Sequence, residues 1–255
     1  MKLWNTENST EITYFEPSNK ITDAAIVIFP GGGYSMRAEH EGRGYAEFFQ
    51  ANGIPSFVVD YHVAPDYFPQ PLLDARRAMR FVRFNAEKFG INPDKIAAMG
   101  SSAGGHLTAF LSTYTEKIDG EGVDELDKIN PVPNAQILCY AVTLNDLPDD
   151  ACLDSCSRNL FGKDYKNIRD KYEIIDNVTE DTPQAFFWHT FDDPTVDIEN
   201  LLRYASALHK KNVPAEIHVY PHGSHGLGLC KDFPHNAQWT RALLNWLEYI
   251  GLVIR

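Results

Sequence analysis

The stretch that most constrains this chain is Gly100-Ser101-Ser102-Ala103-Gly104. Ahead of it, Lys95-Ile96-Ala97-Ala98-Met99 has the short apolar run of a buried strand. Behind it, Gly105-His106-Leu107-Thr108-Ala109-Phe110-Leu111 reads as the start of a helix. A strand that turns straight into a helix puts the central residue at a cramped corner, where bulky neighbours on either flank would clash. Ser102 has glycine two residues away on both sides, whereas Ser101 has Met99 and Ala103 there. The pattern predicts a nucleophile elbow with Ser102 at its tip.

The rest of the chain supplies a frame for that corner. Ala24-Ala25-Ile26-Val27-Ile28-Phe29 is a continuous apolar run, expected of a strand buried on both faces, and it breaks into Pro30-Gly31-Gly32-Gly33-Tyr34. Bare backbone directly after a buried strand can present N–H groups to an anion. Further strands are expected at Glu11–Glu16, Ile54–Tyr61, Ala135–Val142, Ala185–His189 and Ala215–Tyr220. Helices are expected over Arg43–Asn52, Glu199–Lys211 and Asn236–Ile250. A long helix after Pro69 and Pro71 carries Leu72, Ala75, Met79, Val82, Ala86 and Phe89 as one stripe. This alternation predicts an α/β architecture: a mostly parallel central sheet with helices on both faces, in one domain over residues 1–255. Two segments break the rhythm. Residues 117–133 read as an acidic surface excursion, and residues 144–183 as an insertion, either a plain excursion or a cap over the substrate.

Composition narrows the class. The chain has 255 residues, 44% of them hydrophobic, ample for one large core, with a formal net charge of −12 and a pI near 5.1. That balance argues against a nucleic acid or an anionic membrane as partner, since both demand a basic face. Cys139, Cys152, Cys156 and Cys230 form no recognisable framework and read as free thiols. No metal is expected, because Cys152 and Cys156 have no further Cys or His nearby in sequence. The first residues lack the apolar run of a signal peptide, and cytoplasmic localisation is the default expectation.

A serine hydroxyl is a poor nucleophile at neutral pH. It needs a base to take its proton, an acid to orient that base, and donors aimed at the developing oxyanion. Two strand ends downstream of Ser102 offer these groups: Thr190-Phe191-Asp192-Asp193-Pro194-Thr195-Val196, and Pro221-His222-Gly223-Ser224-His225-Gly226.

These blocks, with Pro30-Gly31-Gly32-Gly33-Tyr34 and Asp60-Tyr61-His62-Val63-Ala64-Pro65, give the chain a resemblance to the α/β-hydrolase superfamily over nearly its whole length. Within it the chain is most similar to small bacterial esterases related to acetylxylan esterases and to the hormone-sensitive-lipase group. Pro30 stands where the lipase-like branch has histidine, Thr190 where many relatives have glycine, and His62-Val63 where arginine and leucine are common. These departures favour the acetylesterase side.

The resemblance implies Ser102 as nucleophile, His225 as general base, and Asp193, four after His189 and three before Val196, as the orienting acid. Asp146 is the acid to test if neither Asp192 nor Asp193 serves. Asp192 reads as a turn residue capping a helix. The oxyanion donors implied are the backbone N–H groups of Gly32 or Gly33 together with Ala103. Tyr34 and His222 are candidate substrate contacts, and Trp188 is core or wall. The implied activity is hydrolysis of short acyl esters, such as O-acetyl groups on carbohydrate, with no cofactor. Residues 144–183, charged and with few large apolar residues, would suit a polyhydroxylated alcohol better than a lipid. Two alternatives stay open: a serine peptidase of prolyl-oligopeptidase type, and a non-catalytic binding protein on the same fold.

Overall fold

In the computed structural model of the chain, residues 1–4, 9–145, 147 and 151–253 are described. Seven strands form one sheet: β1 (Ile12–Phe15), β2 (Ala25–Phe29), β3 (Ser56–Val59), β4 (Ile96–Ser101), β5 (Ala135–Cys139), β6 (Ala185–Thr190) and β7 (Ala215–Tyr220). Their order is β1-β3-β2-β4-β5-β6-β7; β1 pairs antiparallel with β3, and the other pairings are parallel. The architecture is that of an α/β-hydrolase.

The apolar run of β2 is buried along its whole length because both faces are covered. Side chains alternate along a strand. Ala25, Val27 and Phe29 join a core with α2 (Gln70–Phe84), α4 (Ser102–Thr113) and α7 (Glu199–Lys210), while Ile26 and Ile28 join another with α1 (Glu39–Ala51) and α8 (Gln238–Tyr249). The chain leaves β2 towards β3 on one side and β4 towards β5 on the other. Neighbouring strands whose connections diverge in this way open a crevice at their carboxyl ends. The glycine loop and the Ser102 corner meet at that crevice.

Several sequence expectations shift for local reasons. Helix α1 begins at Glu39 rather than Arg43, with Glu39 and Glu41 in its first turn, where carboxylates complement the N–H end of a helix. The long helix after Pro69 does not run through Phe89. At Asn85 the side chain turns back onto the Phe81 carbonyl at 2.8 Å, and a short α3 (Ala86–Phe89) follows, ended by Gly90 in the left-handed region. Residues 117–133 are more than a solvated excursion: they lie over one flank of α2. Arg76 bonds Glu121 at 2.7 Å, Arg77 grips Asp124 with two bonds of 2.6 Å, and Arg80 reaches Asp127 at 3.1 Å, with all three arginines buried.

The insertion folds into α5 (Ala151–Phe161), α6 (Tyr165–Ile168) and short 3₁₀ turns at Arg169–Tyr172 and Ile175–Asn177. Its content corrects the expectation of few large apolar residues. Leu153, Leu160, Phe161 and Tyr165 are all buried, and Phe161 stacks on Tyr172 while packing against Phe68 of the main body. Asp146, Asp149 and Asp150 lie outside the described residues.

Candidate active site

The corner at Ser102 is built by steric necessity. Ser102 has φ +51°, a left-handed conformation that costs a non-glycine residue roughly 1–2 kcal/mol. A Cβ added at Gly100 would sit 2.0 Å from the Gly104 carbonyl oxygen, and one at Gly104 would sit 2.0 Å from that of Phe29. Glycine at both flanks therefore lets α4 start hard against the end of β2. Ser101 has a different fate: its hydroxyl pairs with the Tyr45 hydroxyl at 2.9 Å, and the residue is fully buried.

Ser102, His225 and Asp193 form one hydrogen-bonded chain, drawn from the ends of β4, β7 and β6. Ser102 Oγ lies 2.9 Å from His225 Nε2, and His225 Nδ1 lies 2.8 Å from Asp193 Oδ2. The Asp193 side chain is 1% exposed and its carboxylate has four partners. Oδ1 accepts from the Thr195 and Val196 amides at 2.8 and 3.0 Å, and Oδ2 faces both His225 and His189 Nε2, the latter at 3.3 Å. Burial alone would raise the Asp193 pKa, but the hydrogen bonds from His189 and His225 and the charge of His225 hold it far below the usual carboxylate range. For His225 the balance runs the other way. Burial lowers its pKa, yet the hydrogen bond and charge of Asp193, aided by Cys152 and Glu41, leave it raised above the ordinary value. The arrangement can draw a proton from Ser102 and hold the resulting cation against a fixed anion.

The glycine loop closes the other side. A Cβ on Gly31 would fall 3.1 Å from the Ser102 Cβ, so the loop lies directly against the serine. Gly32 and Gly33 have φ of +130° and +61°, and a Cβ on Gly32 would meet the Met36 carbonyl oxygen at 2.3 Å. Among the described residues, the Gly32 and Gly33 amides donate to no protein acceptor, and Ala103, in the first turn of α4, has no intrahelical one. Gly31 differs, since its amide is taken by Glu41 at 2.8 Å.

A family model, BD-FAE, matches residues 13–208. The chain belongs to the BD-FAE family. It is similar to the solved acetyl ester-xyloside bifunctional hydrolase of Caldicellulosiruptor lactoaceticus, at 35% identity and a TM-score of 0.90, covering 100% of this chain and 97% of that one. It is 31% identical over 253 residues to an acetylxylan esterase of Xylanibacter ruminicola, covering 96% of this chain and 49% of that protein. It is 34% identical over 212 residues to the endo-1,4-beta-xylanase B of Butyrivibrio fibrisolvens, covering 81% of this chain and 33% of that protein. The BD-FAE chain thus spans only a third to about half the length of these two curated relatives.

The other residues singled out from sequence fall in varied places. Tyr34 is 1% exposed with its hydroxyl 2.8 Å from His106 Nδ1, which corrects its reading as a substrate contact: its ring is core. The same burial drives the His106 pKa down to about 4. Trp188 is also core, stacked on Trp239. His222 is exposed and bonds Asp192 at 2.8 Å. Asp192 also accepts the Gly223 amide, so it ties two loops together and caps no helix. No disulfide joins Cys139, Cys152, Cys156 or Cys230, and the described residues hold no group of three His, Cys, Asp or Glu able to ligate a metal.

The insertion reaches the site through α5. Asn159 Nδ2 donates to the Gly33 carbonyl at 2.8 Å, and Cys156 lies under the same glycine. Sequence reasoning missed Glu41 and Tyr140, and used His189 only as a landmark for Asp193. A lone glutamate in a helix's first turn and a tyrosine after a strand carry no signal that separates them from ordinary packing residues.

Proposed function

We propose that this chain is a serine carboxylesterase acting on short acyl esters, with O-acetylated carbohydrate as its substrate class. The observation that carries the reading is the unbroken path from Ser102 Oγ through His225 to a dry, fourfold-bonded Asp193, at a corner walled by free loop amides. In the reaction, Ser102 Oγ attacks the ester carbonyl carbon as its proton passes to His225 Nε2. Asp193, held ionised, stabilises the imidazolium through Nδ1. The carbonyl oxygen, now carrying the charge, accepts from the Ala103 amide and from Gly32 or Gly33. Collapse breaks the bond to the alcohol oxygen, which takes the proton from His225. A water then attacks the acyl carbon as its proton passes to His225, and the bond to Ser102 Oγ breaks as that proton returns to the serine, freeing the acid.

The substrate class rests on two supports. Relatives at 31% and 35% identity are named for acetylxylan and for acetyl ester-xyloside hydrolysis. The apolar side chains of the insertion, Leu153, Leu160 and Phe161, are spent on packing, and an alkyl chain gains only about 0.8 kcal/mol per CH₂ where apolar walls receive it. The test is kcat/KM for 4-nitrophenyl esters from acetyl to decanoyl, alongside an acetylated xylo-oligosaccharide and a peptide amide. The expected maximum is at acetyl, with the oligosaccharide deacetylated. A maximum at octanoyl or beyond, or faster cleavage of the amide, overturns the reading.

A further inference from the structure

Two adjacent residues at the start of α1 remain without a role in the steps above. Glu41 is 3% exposed, and the one basic group within 4 Å among the described residues is the His40 ring, at 3.7 Å. A carboxylate buried this way is costly unless its lone pairs are used. Oε2 accepts from the Gly31 amide at 2.8 Å and Oε1 from the Tyr140 hydroxyl at 2.6 Å. The Tyr140 oxygen in turn accepts from the Gly228 amide at 3.0 Å, and its ring stands edge-on to His225 with centroids 5.0 Å apart. His40 Nε2 bonds the carbonyl of Gly226, the residue after His225, at 2.9 Å. One turn of helix thus grips the glycine loop on one side and the histidine loop on the other.

We propose that Glu41 is a positioning residue which, through Tyr140 and with His40 alongside, holds the glycine-loop amides and the His225 loop in one fixed frame. Its kinetic consequences rest on the esterase reading. The requirement is for a carboxylate, because both partners donate: a glutamine would turn an N–H towards one of them. The charge matters as well. Among the described residues, the groups facing His225 are Ser102 from α4, Asp193 after β6, Tyr140 after β5, Cys152 from α5 and Glu41 from α1, and of these Asp193 and Glu41 bring carboxylates. Around Glu41 stand His40, Tyr45, Tyr61 and Tyr140. Without its charge, His225 loses one of the influences that raise its pKa. A residue that merely stabilised the fold would leave both turnover per intact site and the imidazole titration unchanged.

The experiment compares Glu41→Gln, Tyr140→Phe and the double variant with wild type. It measures kcat and KM on 4-nitrophenyl acetate per fluorophosphonate-titrated site, and the His225 imidazole titration by ¹⁵N NMR, its resonance identified by loss in His225→Ala. For Glu41→Gln, kcat is expected to fall about 10- to 100-fold with KM within about threefold, and the His225 pKa to move down. Tyr140→Phe should lower kcat in the same direction, and the double variant should be little worse than the poorer single one. A Glu41→Gln enzyme with kcat within about twofold of wild type and an unmoved imidazole titration overturns the proposal. Should Glu41→Gln fail to fold, Tyr140→Phe decides by the same kcat criterion. If wild type cleaves no ester, the esterase reading falls by itself, and the imidazole titration still decides: a downward shift supports the frame and no shift overturns it.

Discussion

Two histidine–aspartate pairs lie side by side in this molecule. Asp192 and Asp193 are neighbours in sequence, and each is bonded at 2.8 Å to the Nδ1 of a histidine from the same loop, His222 and His225. Their surroundings differ. The inner pair is 1% and 18% exposed, and the outer pair 49% and 85%. The Asp193 carboxylate faces four donors, whereas Asp192 has His222 and the Gly223 amide. An exposed pair in water contributes little, while the same contact in a drier site is stronger and less screened. The inner pair also continues to Ser102. An identical hydrogen bond can therefore do two jobs, and burial with a third partner decides which.

The largest expected effect comes from breaking the inner chain at its end. Ser102→Ala or His225→Ala should each lower kcat on 4-nitrophenyl acetate by about 10⁴–10⁶, and the double variant little more, because the residues act as a unit. Ser101→Ala should do far less, since that hydroxyl faces Tyr45. Loss of activity in Ser101→Ala with retention in Ser102→Ala would exchange the two serines.

Next comes the contrast between the aspartates. Asp193→Asn should cost on the order of 10⁴ in kcat, in line with the serine-protease precedent, and Asp192→Asn within about fivefold. Steady-state rates on one ester, measured in parallel, separate them. Equal losses would mean that burial and the third partner do not distinguish the pairs.

A subtler difference lies in the pH profile. In the proposed reaction the base form of His225 is the active one, and its raised pKa moves the acid limb of kcat/KM upward, so activity should fall away below an apparent pKa above the ordinary histidine value of about 6.5. Asp193→Asn should move that limb down, and His222→Ala should leave it in place. A limb that follows His222 instead would reverse the assignment. The smallest effect is on folding: His222→Ala, at an exposed site, should leave the Tm in thermal unfolding indistinguishable from wild type.

What could be read from sequence was local. The Ser102 corner and the triple glycine are steric statements about neighbouring residues, and their spacing carries them. The sheet was legible because strands such as β2 are apolar throughout. Choosing Asp193 over Asp192 came from the resemblance, since nothing in the dipeptide shows which carboxylate turns inward. Glu41 and Tyr140 meet across 99 residues, a distance no periodicity reports. Nothing in the apolar stripe of α2 tells where Arg76, Arg77 and Arg80 go, and only the tertiary fold brings Glu121, Asp124 and Asp127 over them. The insertion misled because its charges are spread through the sequence while its apolar residues turn inward.

The most direct test of the central claim is covalent. An alkyl fluorophosphonate, followed by proteolysis and mass spectrometry, should modify one residue per chain, and that residue should be Ser102. The label should be absent from Ser102→Ala and slow to form in His225→Ala. Stoichiometric labelling at Ser101 or any other residue, or no labelling of a protein that still cleaves acetyl esters, would contradict the account.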